Sequence, residues 1–172
     1  QAMRVAYSQF AHTVRMHDSH RILITGNSLP RPSAYHNTKE KSWQADSKSQ
    51  FEKVLLRDNP DPFDVISVHV YGNTGQAGTT CIEELMATLE DVSQREKKPI
   101  FVGEFGVPDT PGAEQEKDQF IEMLDAFETS KVPLAAFWVF DLPGQAEWNV
   151  TAENERSYML ELVGTANQRI KD

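Results

Sequence analysis

The stretch Lys98-Pro-Ile-Phe-Val-Gly-Glu-Phe-Gly-Val-Pro108 sets one carboxylate, Glu104, at the end of an apolar run, with Gly103 before it and Gly106 just beyond. The run reads as a strand buried in a parallel sheet, where an unpaired ionised carboxylate costs on the order of several kcal/mol. Active sites of α/β proteins gather at such strand ends. Glu104 is therefore a candidate catalytic group; capping the next helix or meeting an arginine is the plainer alternative. His69 and Tyr71 are two residues apart on another apolar run, so on a strand both project to one face. If that face meets Glu104, a hydroxyl and an imidazole would orient the carboxylate and favour its charged form, as a nucleophile requires. Otherwise His69 is a core histidine and Tyr71 a rim aromatic. Trp138 ends a third run that also carries Phe137 and Phe140. At a strand mouth an indole offers a flat apolar face on which a sugar ring can stack. Trp43 and Trp148 lie in loop-like sequence, where they extend such a platform or simply pack.

These groups need a frame, and the chain alternates helical and β-branched stretches four times, the pattern of consecutive parallel β/α units. Helical spacing is expected over 2–17, then a strand over 21–25, a polar and proline-rich segment over 28–37 and a helix over 47–57. The second strand spans 64–71. Thr80, with Glu83 three residues on, has capping-box spacing and opens a helix to about Lys97. A third strand covers 99–103, a helix 114–130, a fourth strand 133–140 and a last helix about 152–170. No linker or shift in composition divides the 172 residues, so 1–172 is expected to be a single (β/α)4 unit. The loop Tyr71-Gly-Asn-Thr-Gly-Gln-Ala-Gly78 has glycines but no Walker lysine and no dinucleotide fingerprint, which disfavours nucleotide binding.

Composition narrows the partners. A net charge of −9 opposes a phosphate-binding surface, so nucleic acid is not expected. Cys81 is the only cysteine, which excludes an internal disulfide, and no Cys/His cluster has zinc spacing. His12, His17 and His20 lie on or after the first helix, away from the strand mouths, so no metal and no cofactor are expected. No apolar run approaches the roughly 20 residues of a membrane span. The first residue is Gln, so a secreted parent that has lost its leader stays open, and Asn149-Val-Thr151 matches a glycosylation acceptor.

Taken in series, Leu23-Ile-Thr-Gly-Asn-Ser28, Ser67-Val-His-Val-Tyr71, Phe101-Val-Gly-Glu-Phe-Gly106 and Ala136-Phe-Trp-Val-Phe140 resemble strands five to eight of the retaining β/α-barrel glycoside hydrolases of the cellulase-like family 5. The resemblance covers nearly the whole chain. It implies half of a TIM (β/α)8 barrel, with four parallel strands alternating with helices. It implies further that Glu104 is the catalytic nucleophile, that His69 and Tyr71 support it, that Trp138 stacks on the sugar at the cleavage subsite and that Asn27 lines the cleft. The expected partner is a β-linked oligo- or polysaccharide, hydrolysed with retention by two carboxyl groups about 5 Å apart.

One departure matters more than any motif. The family's acid/base glutamate follows an asparagine at the end of strand four, and strand four should precede the helix that begins near Ala2; it is not in this sequence. A full barrel takes about 250 residues and eight strands. The chain is thus expected to pair with a complementary N-terminal half barrel or to close as a homodimer. In a homodimer Asp141 of the second copy would come nearest the vacant position, and its short side chain would substitute poorly. Loss of the general acid costs about 10²–10⁴ in rate, so the chain alone could be inactive. The alternative is a non-catalytic carbohydrate-binding or scaffold half barrel. A third reading, a β/α enzyme of unrelated chemistry, is not excluded by fold.

Overall fold

On the first strand, Ile66, Val68 and Val70 alternate with Ser67 and His69, and that period of two turns the aliphatic side chains onto one buried face. The computed structural model of the chain describes residues 2–72, 76–110 and 112–170. Within them the strands are β1 (Ile66–Val70), β2 (Ile100–Phe105) and β3 (Leu134–Phe137), all parallel, in the order β1-β2-β3. The helices are α1 (Ala2–His17), α2 (Ala34–Glu40), α3 (Lys48–Asp58), α4 (Ile82–Glu96), α5 (Ala113–Thr129) and α6 (Tyr158–Arg169), with single 3-10 turns at Gln76–Gly78 and Pro143–Gln145. Residues 73–75, in the glycine-containing loop after β1, lie outside the described residues.

The main core lies between the sheet and helices α3 to α6. Phe51 and Leu55 of α3, Leu85, Met86 and Leu89 of α4, Phe120 and Met123 of α5, and Met159 of α6 are buried with Ile66, Val68, Val70, Val102 and Phe105. Phe105 joins an aromatic cluster with Phe120, Phe127 and Phe137, with ring centres 5.1–5.9 Å apart. A smaller cluster of Ala11, Leu23 and Phe63, flanked by Tyr7 and Val14, seats α1.

The expected strand over 21–25 does not form, and the sheet has three strands rather than four. The segment does run beside β1, where the Leu23 carbonyl accepts from the Asp64 N–H at 3.0 Å. Farther along, the side chain of Asn59 intervenes. Its Oδ1 accepts the Ser67 N–H at 2.9 Å and the Thr25 hydroxyl at 2.8 Å, so the next outward-facing donor of β1 is bonded to an amide side chain instead of a neighbouring strand.

Other boundaries shift for identifiable reasons. The segment read as polar and proline-rich over 28–37 holds the start of α2, which runs on to Glu40. The carboxylate of Asp46, ten residues beyond His36, accepts the N–H groups of Tyr35 at 2.7 Å and His36 at 3.1 Å, so this helix start is capped by a tertiary contact. Helix α3 has a full capping box, with Ser47 and Gln50 exchanging bonds. Helix α4 starts one residue later than expected, with Cys81 at the cap position. It is Glu84, not Glu83, that reaches back to the Thr80 N–H at 2.7 Å. The last helix opens at Tyr158, not near 152, and β3 ends at Phe137.

One face of the sheet stays open. Ile22, Ile24, Val65, Phe101 and Leu134 surround a hollow of about 520 Å³ at the N-terminal ends of the strands, and Ile22 and Leu134 are 67% and 61% exposed. On α1, Met3, Val5, Phe10 and Met16 are also exposed. None of the described helices is long and apolar enough to cross a membrane.

Candidate functional site

Positions 100, 102 and 104 share parity on β2, so an unbroken strand would send Glu104 into the helix-covered core with Ile100 and Val102. It does not. The β1–β2 register runs Ile66 with Ile100, Ser67 with Phe101, Val68 with Val102, and then His69 with Glu104, leaving Gly103 as the extra residue of a bulge. Parity switches there, so Phe105 takes the buried face and Glu104 the face shared by Ser67 and His69. Glycine suits the bulge, since a Cβ at Gly103 would lie 3.2 Å from the His69 ring. Glu104 is thus within β2, not beyond it as the expected strand over 99–103 implied.

The structure brings three of the sequence-derived residues together. The Tyr71 hydroxyl donates to Glu104 Oε2 at 2.5 Å, and His69 Nδ1 lies 3.1 Å from the same oxygen. Burial first, then the bond to Glu104 and its negative charge, push the Tyr71 phenol well above its ordinary pKa, so it remains a donor. The Tyr71 ring meets Trp148 edge to face, with centroids 5.1 Å apart. Trp148, which the sequence left as either an extension of a sugar platform or a packing residue, therefore backs the cluster.

Trp138 follows β3, and its backbone N–H donates to the Phe105 carbonyl at 2.8 Å, which ties it to the residue after Glu104. Its indole N–H donates to Gln145 Oε1 at 2.8 Å. The close approach requires Gly106, where an added Cβ would sit 2.4 Å from the Trp138 carbonyl oxygen. Gly106 stood out in the sequence only as the glycine just beyond Glu104, and Gln145 carried no signal that separates it from other loop residues.

Asn27 goes elsewhere. Its Oδ1 accepts the Tyr7 hydroxyl at 3.2 Å and its amide donates to the Asp58 carbonyl, and it lines a cleft of about 790 Å³ with Tyr7, Tyr35 and Arg57. No bond between Asn27 and the Glu104 cluster is present among the described residues. Trp43, 80% exposed, borders a neighbouring hollow with Leu29 and Asn27. Asp141, just beyond Trp138 and Val139, is exposed with φ +49°. Among the described residues no group of three or more His, Cys, Asp or Glu is placed to hold a metal ion.

Parallel strands joined by helices, with a carboxylate bridged to a phenol and an imidazole at their C-terminal ends, define an α/β fold of the kind found in barrel glycosidases. The chain belongs to the cellulase family, glycosyl hydrolase family 5, whose profile matches residues 1–140. Among solved structures it is similar to an endo-1,4-β-D-mannanase from Thermotoga petrophila RKU-1, with a TM-score of 0.59 and 12% identity over 91% of this chain and 50% of that one. An endo-β-1,4-glucanase from Xanthomonas axonopodis pv. citri aligns with a TM-score of 0.49 and 18% identity, over 83% of this chain and 46% of the other. The chain thus spans about half the length of these enzymes. No curated protein sequence matches it.

Proposed function

We propose that residues 1–172 form one half-barrel unit carrying the nucleophile side of a retaining β-glycan hydrolase site. The observation that carries this reading is the 2.5 Å bond from Tyr71 to Glu104, with His69 on the same oxygen. Tyr71 bonds Oε2 and His69 Nδ1 faces the same oxygen, which leaves Oε1 as the attacking atom. That oxygen would bond the anomeric carbon, the glycosidic C–O bond would break, and the aglycone would leave as the alcohol after protonation by a second carboxyl group about 5 Å away. Water would then cleave the glycosyl ester. Trp138 would hold the sugar by stacking, and Asn27 would line the cleft beside α1 and α3, where its amide bonds Tyr7 and Asp58. No cofactor enters the scheme.

The second carboxyl group comes, in this reading, from whatever completes the barrel. Two features support completion: the apolar strip of exposed Ile22, Ile24 and Leu134 beside half-buried Phe101, and the half-length alignment to the mannanase. A complementary N-terminal half would supply the acid. A second copy of this chain would close the strip but bring only Asp141. Action on a polymeric glycan would suit an exported parent enzyme.

The test is covalent trapping. A 2-deoxy-2-fluoro-β-glycosyl donor with an activated leaving group needs no acid, so the chain alone should gain one glycosyl unit, located at Glu104 by peptide mass spectrometry. No adduct in wild type, or equal labelling of Glu104→Gln, would sink the proposal. The aromatic surface favours a second reading, a carbohydrate-binding half barrel without turnover. Oligosaccharide binding that is lost in Trp138→Ala, with no adduct at Glu104, would select it.

A further inference from the structure

We propose that Arg156 is a positioning residue for the Glu104 site, acting through the two loops that carry Trp148 and the chain beyond β2. Its side chain is almost wholly buried, an unusual place for a guanidinium, and its donors are distributed over separate pieces of chain. Nε meets Glu116 Oε1 at 3.2 Å on α5. Nη1 donates to the Glu147 carbonyl at 3.0 Å and lies 3.4 Å from that of Asn149, the two residues that flank Trp148. Nη2 donates to the Val107 carbonyl, three residues after Glu104, and touches Met159 Sδ at 3.8 Å. Glu116 is itself fixed by the Tyr158 hydroxyl at 2.6 Å.

The connection to the site is a chain of contacts. With Glu147 and Asn149 held, Trp148 is held between them, and its ring is the edge-to-face partner of Tyr71, whose hydroxyl bonds Glu104. Val107 anchors the other end, and the Asp109 N–H donates to the same Glu147 carbonyl at 2.9 Å, which joins the loops after β2 and β3 directly. A lysine could keep the charge opposite Glu116. It presents one nitrogen, whereas the planar fork of arginine serves Val107, Glu147 and Glu116 at once.

The geometric part of this proposal is independent of the chemistry assigned to Glu104; only its effect on labelling rests on the nucleophile reading. NMR separates the two. In the wild-type chain, nuclear Overhauser contacts should join the Trp148 and Tyr71 rings. The Tyr71 hydroxyl proton should resonate far downfield, assigned by its loss in Tyr71→Phe. Arg156→Lys should keep the far-UV circular dichroism yet lose the ring contacts and broaden or shift the hydroxyl signal, and labelling of Glu104 should slow by tenfold or more. Glu116→Gln, which removes the ion pair but leaves the carbonyl bonds, should keep both signals. A folded Arg156→Lys chain with both signals intact overturns the proposal. If Arg156→Lys does not fold, Trp148→Leu cuts the same relay below Arg156, and an unchanged Tyr71 hydroxyl signal there overturns it equally. Absence of labelling in wild type would count against the glycosidase reading and leave the NMR result to judge Arg156.

Discussion

Tyr71 and Glu104, 33 residues apart, meet at the C-terminal ends of adjacent strands with the phenol oxygen 2.5 Å from Oε2, the oxygen His69 also faces. Hydrogen bonds to charged groups contribute about 1.5–3 kcal/mol. Tyr71→Phe should therefore slow covalent labelling of Glu104 by roughly ten- to a hundredfold, measured as the rate of adduct formation by intact mass. An unchanged rate would show that the phenol does not prepare the carboxylate.

Gly106 lets the Trp138 carbonyl pass where a side chain would stand, since an added Cβ would lie 2.4 Å from that oxygen, a backbone atom with little room to retreat. Gly106→Ala should cost about 1–3 kcal/mol, as overpacking does, read as a shift of the urea midpoint at constant slope. Gly103→Ala meets the His69 ring at 3.2 Å, a contact that moves with a side chain. It should destabilise less than Gly106→Ala, and a reversed order would contradict this assignment of the two glycines.

Asp46 should give the chain an acid-sensitive contribution. Burial alone would raise its carboxyl, but donation from the Tyr35 N–H, the His36 ring and the His36 N–H outweighs it and holds the pKa below the ordinary aspartate value. The unfolded chain then takes up the proton first, near pH 4. The contribution is complete above that pH and is lost as pH falls toward the folded value. The stability gap between wild type and Asp46→Asn should shrink between about pH 5 and 3, followed by urea unfolding. A gap that widens on acidification would reverse the sign. His36, and Glu40 lying 3.8 Å from its other nitrogen, remain in both chains.

Leu134→Glu sets a charge on the exposed strip at the base of the sheet, beside Ile22, Ile24 and Phe101. It should weaken closure of the barrel by either occupant. Light scattering should show a smaller mass than wild type if the occupant is a second copy, or reduced co-purification of a supplied N-terminal half of a family 5 barrel. Wild-type behaviour in both measurements would show that the strip is not the closing face.

Much of this was legible in the sequence because it depends on local period and spacing. The alternation over 66–70 and the helical spacing of α1, α4 and α5 place these elements within a few residues of where they are observed. His69 and Tyr71 share a face because they are two apart. The misreadings share a cause as well. The 21–25 segment has the composition of a strand, and α2 lacks a local cap; the first is interrupted by Asn59 and the second is started by Asp46, both remote contacts. The direction of the Asn27 amide, on which the sequence is silent, is likewise set by remote contacts, with Tyr7 and Asp58.

By itself the sequence determined that β and α stretches alternate, that an acid group stands near a strand mouth and that His69 and Tyr71 can point together. These follow from side-chain polarity and from periods of 2 and 3.6, which any isolated stretch already expresses. Only the tertiary structure decided that Glu104 faces them. Strand parity alone sends Glu104 toward the helices, and the Gly103 bulge, a property of how β2 registers against β1, turns it back. Register depends on two strands at once, so no reading of either alone contains it.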